Sequence, residues 1–256
     1  MTSSPVHPRP RARLVLVHGT RLSHTQWALY ADLLPGIQLV TPDLPSHGAR
    51  SSQRFTLGAA VAVIEQAIGA DDAVPTILAG HSLGGYMSLA YAEQHPQRLD
   101  GLVLMGASAE PRGVGAAAYL GLAKLLDLMG PERAGRSANW AMHRMLGADA
   151  ADSVLAGNAP LGSVVEAWGA VLEGGGPGQL ADVTCPVLLL NGQFDQLGVH
   201  AKRFVAAGRD VSVTTIPRAS HLFPLTHAEE TAQALRGFVD DVVARREGAR
   251  PGLVGE

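Results

Sequence analysis

The sequence predicts an α/β protein, a mostly parallel and twisted sheet flanked by helices. Two observations predict it. Short apolar runs alternate with stretches of helical periodicity, the pattern of successive βαβ units. The chain has 256 residues, 46% hydrophobic and 17% charged, and is therefore large and apolar enough to bury one substantial core.

The first strand is expected over residues 14–17, ending at His18-Gly19, and the second over 37–41, ending at Pro42-Asp43. Between them Trp27, Tyr30, Leu33 and Leu34 recur at helical spacing. Leu57, Val61, Ile64 and Ile68 mark an amphipathic helix. Residues 76–79 form a strand that runs into Gly80-His81-Ser82-Leu83-Gly84, and a helix then continues to His95, where Pro96 stops it. Residues 102–105 are the next strand. From 110 to 180 the strand rhythm stops. Helix-forming stretches there are broken at Gly130-Pro131, at Asn158-Ala159-Pro160 and at the glycine cluster 174–178, which reads as a hinge back to the sheet or as a plain loop. Strands resume at 187–190 and Val211–Ile216, and a last helix runs over 228–245. The chain thus divides into a core over 1–109, a helical insertion over 110–180, the rest of the core over 181–248, and a frayed tail over 249–256.

Charge and cysteine usage narrow the function classes. Lysine and arginine total 20 against 23 acidic residues, a net charge of −3, which leaves no basic footprint for nucleic acid or an anionic membrane. One cysteine, Cys185, can form neither an intrachain disulfide nor a cysteine-built zinc site. The apolar run after the basic, proline-bearing residues 1–13 is too short for a signal-peptide core. No stretch approaches the roughly 20 apolar residues of a membrane span. The expectation is a cytoplasmic protein acting on a small molecule, without cofactor or metal; its oligomeric state is open.

The chemistry centres on Gly80-His81-Ser82-Leu83-Gly84, a G-x-S-x-G motif with a strand before it and a helix after it. A sharp strand-to-helix turn strains the backbone at the serine and crowds its neighbours, so side chains two positions away must vanish. The turn lifts the Ser82 hydroxyl above the sheet and aims a helix N-terminus at the reacting centre. A serine hydroxyl needs a base, and the base needs an orienting acid. Asp195 follows the strand at 187–190 and His221 follows Val211–Ile216, so both lie at strand carboxyl ends, on the edge that carries Ser82. The roles then read Ser82 as nucleophile, His221 as base and Asp195 as orienting acid, with Glu110 as the fallback acid. His18 braces its loop, His81 packs beside Ser82, and His95 and His227 mark helix ends; His24, His143 and His200 carry no supporting pattern. Backbone N–H groups of Leu83 and Thr20 are the candidate oxyanion donors, with Arg21 the competitor of Thr20.

These residues, together with Asp43-Leu44-Pro45-Ser46-His47-Gly48, resemble the α/β-hydrolase fold superfamily over about residues 13–245. The resemblance implies a sheet trimmed to about six strands, because residues 1–12 leave little room for the family's first two. It also implies a helical lid, matched by residues 110–180, and structural roles for Asp43 and His47. Many relatives carry glycine where this chain has Ser46. A serine at position 82, where members with halide or epoxide chemistry carry aspartate, argues against both.

The expected activity is hydrolysis of a small to medium, largely apolar ester, thioester or lactone through an acyl-enzyme on Ser82. Trp140, Met142, Met145 and Trp168 could line an apolar acyl pocket or form the insertion's own core. Arg21 and Leu222, beside the two catalytic loops, are further candidates for substrate contact. Arg112, Arg133, Arg136 and Arg144 could meet a carboxylate, although a solvated helix face explains them as well. Two alternatives stand beside this reading. One is a lyase or C–C bond hydrolase that uses the histidine of the same triad as principal base. The other is a non-catalytic binding module.

Overall fold

In the computed structural model residues 9–113, 116, 121, 124, 128, 130–156 and 163–249 are described. Six strands form one sheet: β1 (Ala12–Val17), β2 (Ile37–Val40), β3 (Thr76–His81), β4 (Gly101–Met105), β5 (Val187–Gly192) and β6 (Val211–Ile216). Their order is β2-β1-β3-β4-β5-β6, and every neighbouring pair is parallel. Register is set by apolar pairs such as Val15 with Leu78, Ala79 with Val103 and Leu104 with Leu189.

The central strands are largely apolar because both faces of the sheet are covered. In β1, Val15 and Val17 join one core cluster while Leu14 and Leu16 join the other, and every residue of the strand is buried. The first cluster packs beneath α2 (Leu57–Ile68) and α3 (Leu83–Gln94), where Tyr86, Met87, Ala90 and Tyr91 are buried. The second holds Trp27, Tyr30 and Phe223, with Leu235, Phe238 and Val239 of the last helix. Thr56 starts α2 by accepting the Ala59 N–H at 3.1 Å, a side-chain cap for one orphan amide.

One expectation changes in form. The helix expected around Trp27–Leu34 is a 3₁₀ turn, His24–Trp27, followed by a one-turn α1 (Tyr30–Leu33). The Ser23 hydroxyl accepts from Thr25 N–H, and i→i+3 bonds close the turn. Trp27 and Tyr30 still reach the core, stacked edge-to-face at 5.1 Å. In the glycine cluster Gly175 is closely packed, whereas Gly176 and Gly178 face open space. A Cβ on Gly175 would lie 2.6 Å from the Val171 carbonyl and 2.9 Å from the Tyr86 ring.

Between β4 and β5 the described residues contain no strand. They form α4 (Pro131–Leu146), α5 (Ala148–Leu155) and α6 (Ser163–Gly174). Trp168 of α6 meets Tyr86 of α3 edge-on at 6.2 Å, and the Thr25 hydroxyl donates to Val154 O at 2.8 Å, so this segment is seated on the sheet's carboxyl edge. After β5 come α7 (Ala201–Ala207), α8 (Phe223–Thr226) and α9 (Ala228–Ala249). Among the described residues no helix is long and apolar enough to cross a membrane.

Candidate active site

The strand order reverses at β1, whose neighbours β2 and β3 follow it on opposite sides. Ligand crevices of parallel sheets open at the carboxyl ends flanking such a point. Here the loops after β1 and β3 carry Gly19-Thr20-Arg21 and Ser82. Ser82 has φ 53° and ψ −118°, a conformation that a non-glycine residue adopts only under constraint. The constraint is visible. Ser82 N–H donates to Met105 O of β4 at 2.8 Å, and the Ser82 carbonyl accepts from the amides of Gly85 and Tyr86. A Cβ on Gly80 would sit 2.2 Å from Gly84 O, and one on Gly84 would sit 2.4 Å from Val17 O. The motif's glycines are therefore demanded by backbone-to-backbone approach.

Three side chains meet at this turn. The Ser82 hydroxyl donates to His221 Nε2 at 3.0 Å, and His221 Nδ1–H donates to Asp195 Oδ1 at 2.9 Å. The carboxylate can only accept, which fixes the imidazole tautomer. Asp195 Oδ1 also accepts the Leu197 N–H at 2.8 Å. Burial pushes the Asp195 pKa up, but the bonds from His221 and Leu197 outweigh it and hold the carboxyl below its ordinary value. Glu110 is elsewhere: it pairs with Arg203 at 2.6 Å and with Arg112 at 3.8 Å.

The N–H groups of Thr20 and Leu83 donate to nothing among the described residues, whereas the Arg21 N–H donates to His47 Nε2 at 3.3 Å. Leu83 opens α3, where amides have no intrahelical acceptor. His18 braces the same loop, donating through Nδ1 to Gly19 O at 2.9 Å and accepting Leu44 N–H at Nε2 at 3.0 Å. Asp43 accepts from the amides of His24 and Ala49, and a Cβ on Gly48 would lie 2.3 Å from that carboxyl group.

Two contributors escaped the sequence reading. Gly106, at φ +55°, lies where a Cβ would come 2.7 Å from Asp195 Oδ2 and 3.0 Å from the His221 ring. Its place directly after a strand was the available signal. Gln26 had none. Its Oε1 accepts Gly19 N–H at 2.9 Å and its amide donates to His81 Nδ1 at 3.0 Å, while His81 Nε2–H donates to the His221 carbonyl at 3.0 Å. His81 is 1% exposed, and burial, reinforced by nearby His221, lowers its pKa to about 3.

Two cavities lie beside the loops that carry these side chains, lined by chain neighbours of Asp195 and of His221 rather than by the three residues themselves. One, of about 250 Å³, has Thr20, Arg21, Met142, Met145 and Leu222 among its walls. The other, of about 350 Å³, is bounded by Tyr86, Glu110, Arg112, Trp168 and Leu197. Trp140 lines neither: it is 70% exposed, because two residues along α4 from Met142 it projects from a different side of the helix. The expectation that Trp140 helps line the pocket is corrected accordingly.

Residues 14–234 match the alpha/beta hydrolase family. The chain belongs to the α/β-hydrolase family. It is a hydrolase of that fold. Over 254 residues, 90% of this hydrolase and 94% of its counterpart, it is 26% identical to a pimeloyl-[acyl-carrier protein] methyl ester esterase from Neisseria meningitidis. It is also 38% identical to a protein of the same name from Aromatoleum aromaticum, over a match spanning 38% of either chain. In three dimensions the hydrolase is similar to a thermophilic esterase from Thermogutta terrifontis, with TM-score 0.73, 24% identity and 90% of each chain covered.

Proposed function

We propose that this hydrolase is a serine esterase that cleaves a carboxylic ester, thioester or lactone through an acyl-enzyme. The observation that carries the reading is the unbroken chain from Ser82 Oγ to His221 at 3.0 Å and from His221 to Asp195 at 2.9 Å. Ser82 Oγ attacks the acyl carbon while its proton passes to His221 Nε2. Asp195 holds the tautomer and stabilises the imidazolium. The carbonyl oxygen, now negative, is met by the free amides of Thr20 and Leu83, each worth about 3 kcal/mol of barrier. Collapse breaks the acyl–oxygen or acyl–sulfur bond, and His221 returns the proton to the leaving group. Water, deprotonated by His221, then releases the acid and restores Ser82. The helices α4–α6 act as a lid whose apolar side chains face the substrate. The Neisseria relative, named as an esterase and matched over nearly its whole length, supports an ester substrate.

The test combines a fluorophosphonate probe with p-nitrophenyl esters, lactones and thioesters of rising chain length. Ser82 is expected to label, and Ser82→Ala and His221→Ala to lose on the order of 10⁴-fold or more in kcat. Asp195→Asn is expected to fall by a similar or smaller factor, and Glu110→Gln only mildly. Absence of both labelling and turnover on every ester overturns the reading. A larger loss in Glu110→Gln than in Asp195→Asn overturns the acid assignment.

A further inference from the structure

Buried arginines in this chain are expected to meet an acceptor, and Arg13 does. At 8% exposure its guanidinium donates to Ile68 O at 2.9 Å, to Asp71 O at 2.8 Å and to the Asp71 carboxylate at 3.3 Å. Arg21 does not. Its Nε is buried without a hydrogen-bond partner, and no carboxylate among the described residues lies within ion-pair reach of its side chain. The hydroxyl of the adjacent Thr20 is buried and unpartnered in the same way. Unpaired polar atoms withdrawn from water are costly, and a fold keeps them where something else completes them.

Both residues line the cavity of about 250 Å³ whose wall also includes Leu222, the residue after His221. Its remaining walls include Met142, Met145 and Leu155 and, among the described residues, no acidic side chain. The backbone is held to suit. Arg21 has φ 63°, a left-handed conformation uncommon for a residue with a Cβ, and its N–H is pinned to His47 Nε2. Burial lowers its pKa. The second cavity differs on this point, because Arg112 on its wall already has a carboxylate partner there, Glu110.

We propose that Arg21 and the Thr20 hydroxyl bind a carboxylate carried by the substrate, so that the preferred substrates are esters of amphiphilic, carboxylate-bearing molecules. Arg21 offers Nε–H and a terminal N–H side by side, the fork that matches a carboxylate in two parallel bonds, and Thr20 adds a third donor. The apolar body of the molecule lies against Met142, Met145 and Leu155. Arg21 is thereby a specificity-determining residue. The inference rests on the esterase reading above and narrows its substrate class.

The experiment measures a ratio. Values of kcat/KM are compared for p-nitrophenyl hemiglutarate and hemiadipate against neutral p-nitrophenyl esters of equal length, which places the charge on the acyl side. Butyrate esters of 3-hydroxybenzoate and of phenol place it on the leaving group. In the wild-type chain one carboxylated series is expected to exceed its neutral counterpart on the order of ten- to a hundredfold. Arg21→Met is expected to bring that ratio to about one, and Arg21→Lys, which keeps charge but not the fork, to an intermediate value. Using a ratio cancels any general loss from disturbing the Thr20 loop, and the rate of fluorophosphonate labelling reports whether Ser82 stays reactive in each variant. Labelling with turnover of neutral esters and a ratio near one in both series overturns the inference and leaves the esterase reading standing. A preference that survives in Arg21→Met also overturns it. Absence of labelling and of all turnover overturns both.

Discussion

At the scale of single residues, the loops that carry the candidate triad are tied together by groups outside it. Gln26 bridges the Gly19 amide and His81, and His81 in turn holds the His221 carbonyl, so the loop after β1 and the loop after β6 are tied through one carboxamide. The hydrogen bonds fix the roles: a carbonyl accepts, so His81 Nε2 carries the proton and Nδ1 must receive one from Gln26. Gln26→Leu removes both ends of that bridge at nearly constant volume and leaves two buried groups unsatisfied, at about 1–3 kcal/mol each. As a positioning residue, Gln26 is expected to act on kcat with KM nearly unchanged, because what loosens is the alignment of His221 and Thr20 rather than the walls of the cavity. Gln26→Glu, which keeps the acceptor for Gly19 but offers His81 no N–H, is expected to fall between. Equal losses in kcat and in unfolding free energy with no kcat–KM split would reduce Gln26 to a structural role. No periodicity or spacing marks Gln26 in the sequence, since its value lies wholly in contacts with residues 7 and 55 positions away.

At the scale of elements, glycines decide how closely the turn after β3 and the turn after β4 can approach. The meeting of Ser82, Asp195 and His221 was legible in the sequence because each follows a strand, and parallel strands deliver their carboxyl ends to one edge. The six strands were legible because buried parallel strands are written as short apolar runs. The helical turns around residues 24–33 were less so: a 3₁₀ turn and one α-turn place Trp27 and Tyr30 much as a single helix would. Gly106 shows a different limit. Its requirement comes from Asp195 and His221, which arrive from two other elements. Gly106→Ala adds a methyl at φ +55° and pushes on the Asp195–His221 pair, so activity is expected to fall at least about tenfold at a stability cost of about 1–2 kcal/mol. Gly84→Ala is expected to be worse in both respects, since its Cβ meets backbone at 2.4 Å, which no side-chain rotation relieves. Thermal unfolding with fluorophosphonate labelling rates separates the two. Full activity in Gly106→Ala would show that the pair tolerates displacement.

At the scale of the whole molecule, the buried histidines couple the fold to acidity. His18 is 0% and His81 1% exposed; burial, with His47 beside the first and His221 beside the second, lowers each pKa to about 3 from 6.5. His47 is shifted the same way by burial. Each ring both donates and accepts, so protonation would break an accepted bond as well as bury a charge. The unfolded chain takes up these protons as pH falls through about 6.5, whereas the folded chain resists until about 3. Stability is therefore fully present above the unfolded value and is lost on acidification between the two. At about pH 5 the loss amounts to about 2 kcal/mol for each of His18 and His81, a large share of a typical folding free energy. Asp43 and Asp195, whose pKa values lie below 3.8, withdraw their contributions only in stronger acid, so the window between about pH 7 and pH 5 isolates the histidines. His143, raised by its bonds to Asn139 O and Asp152, works in the opposite sense but sits at the surface, where water and salt screen the pair. The urea midpoint is accordingly expected to drop by on the order of 1 M between about pH 7.5 and pH 5. The slope should flatten in His81→Asn at a pH where that variant is folded. An unchanged midpoint across this range would mean that the rings are hydrated or charged in the native state, and the hydrogen-bonded loops built on their neutral tautomers would have to be redrawn.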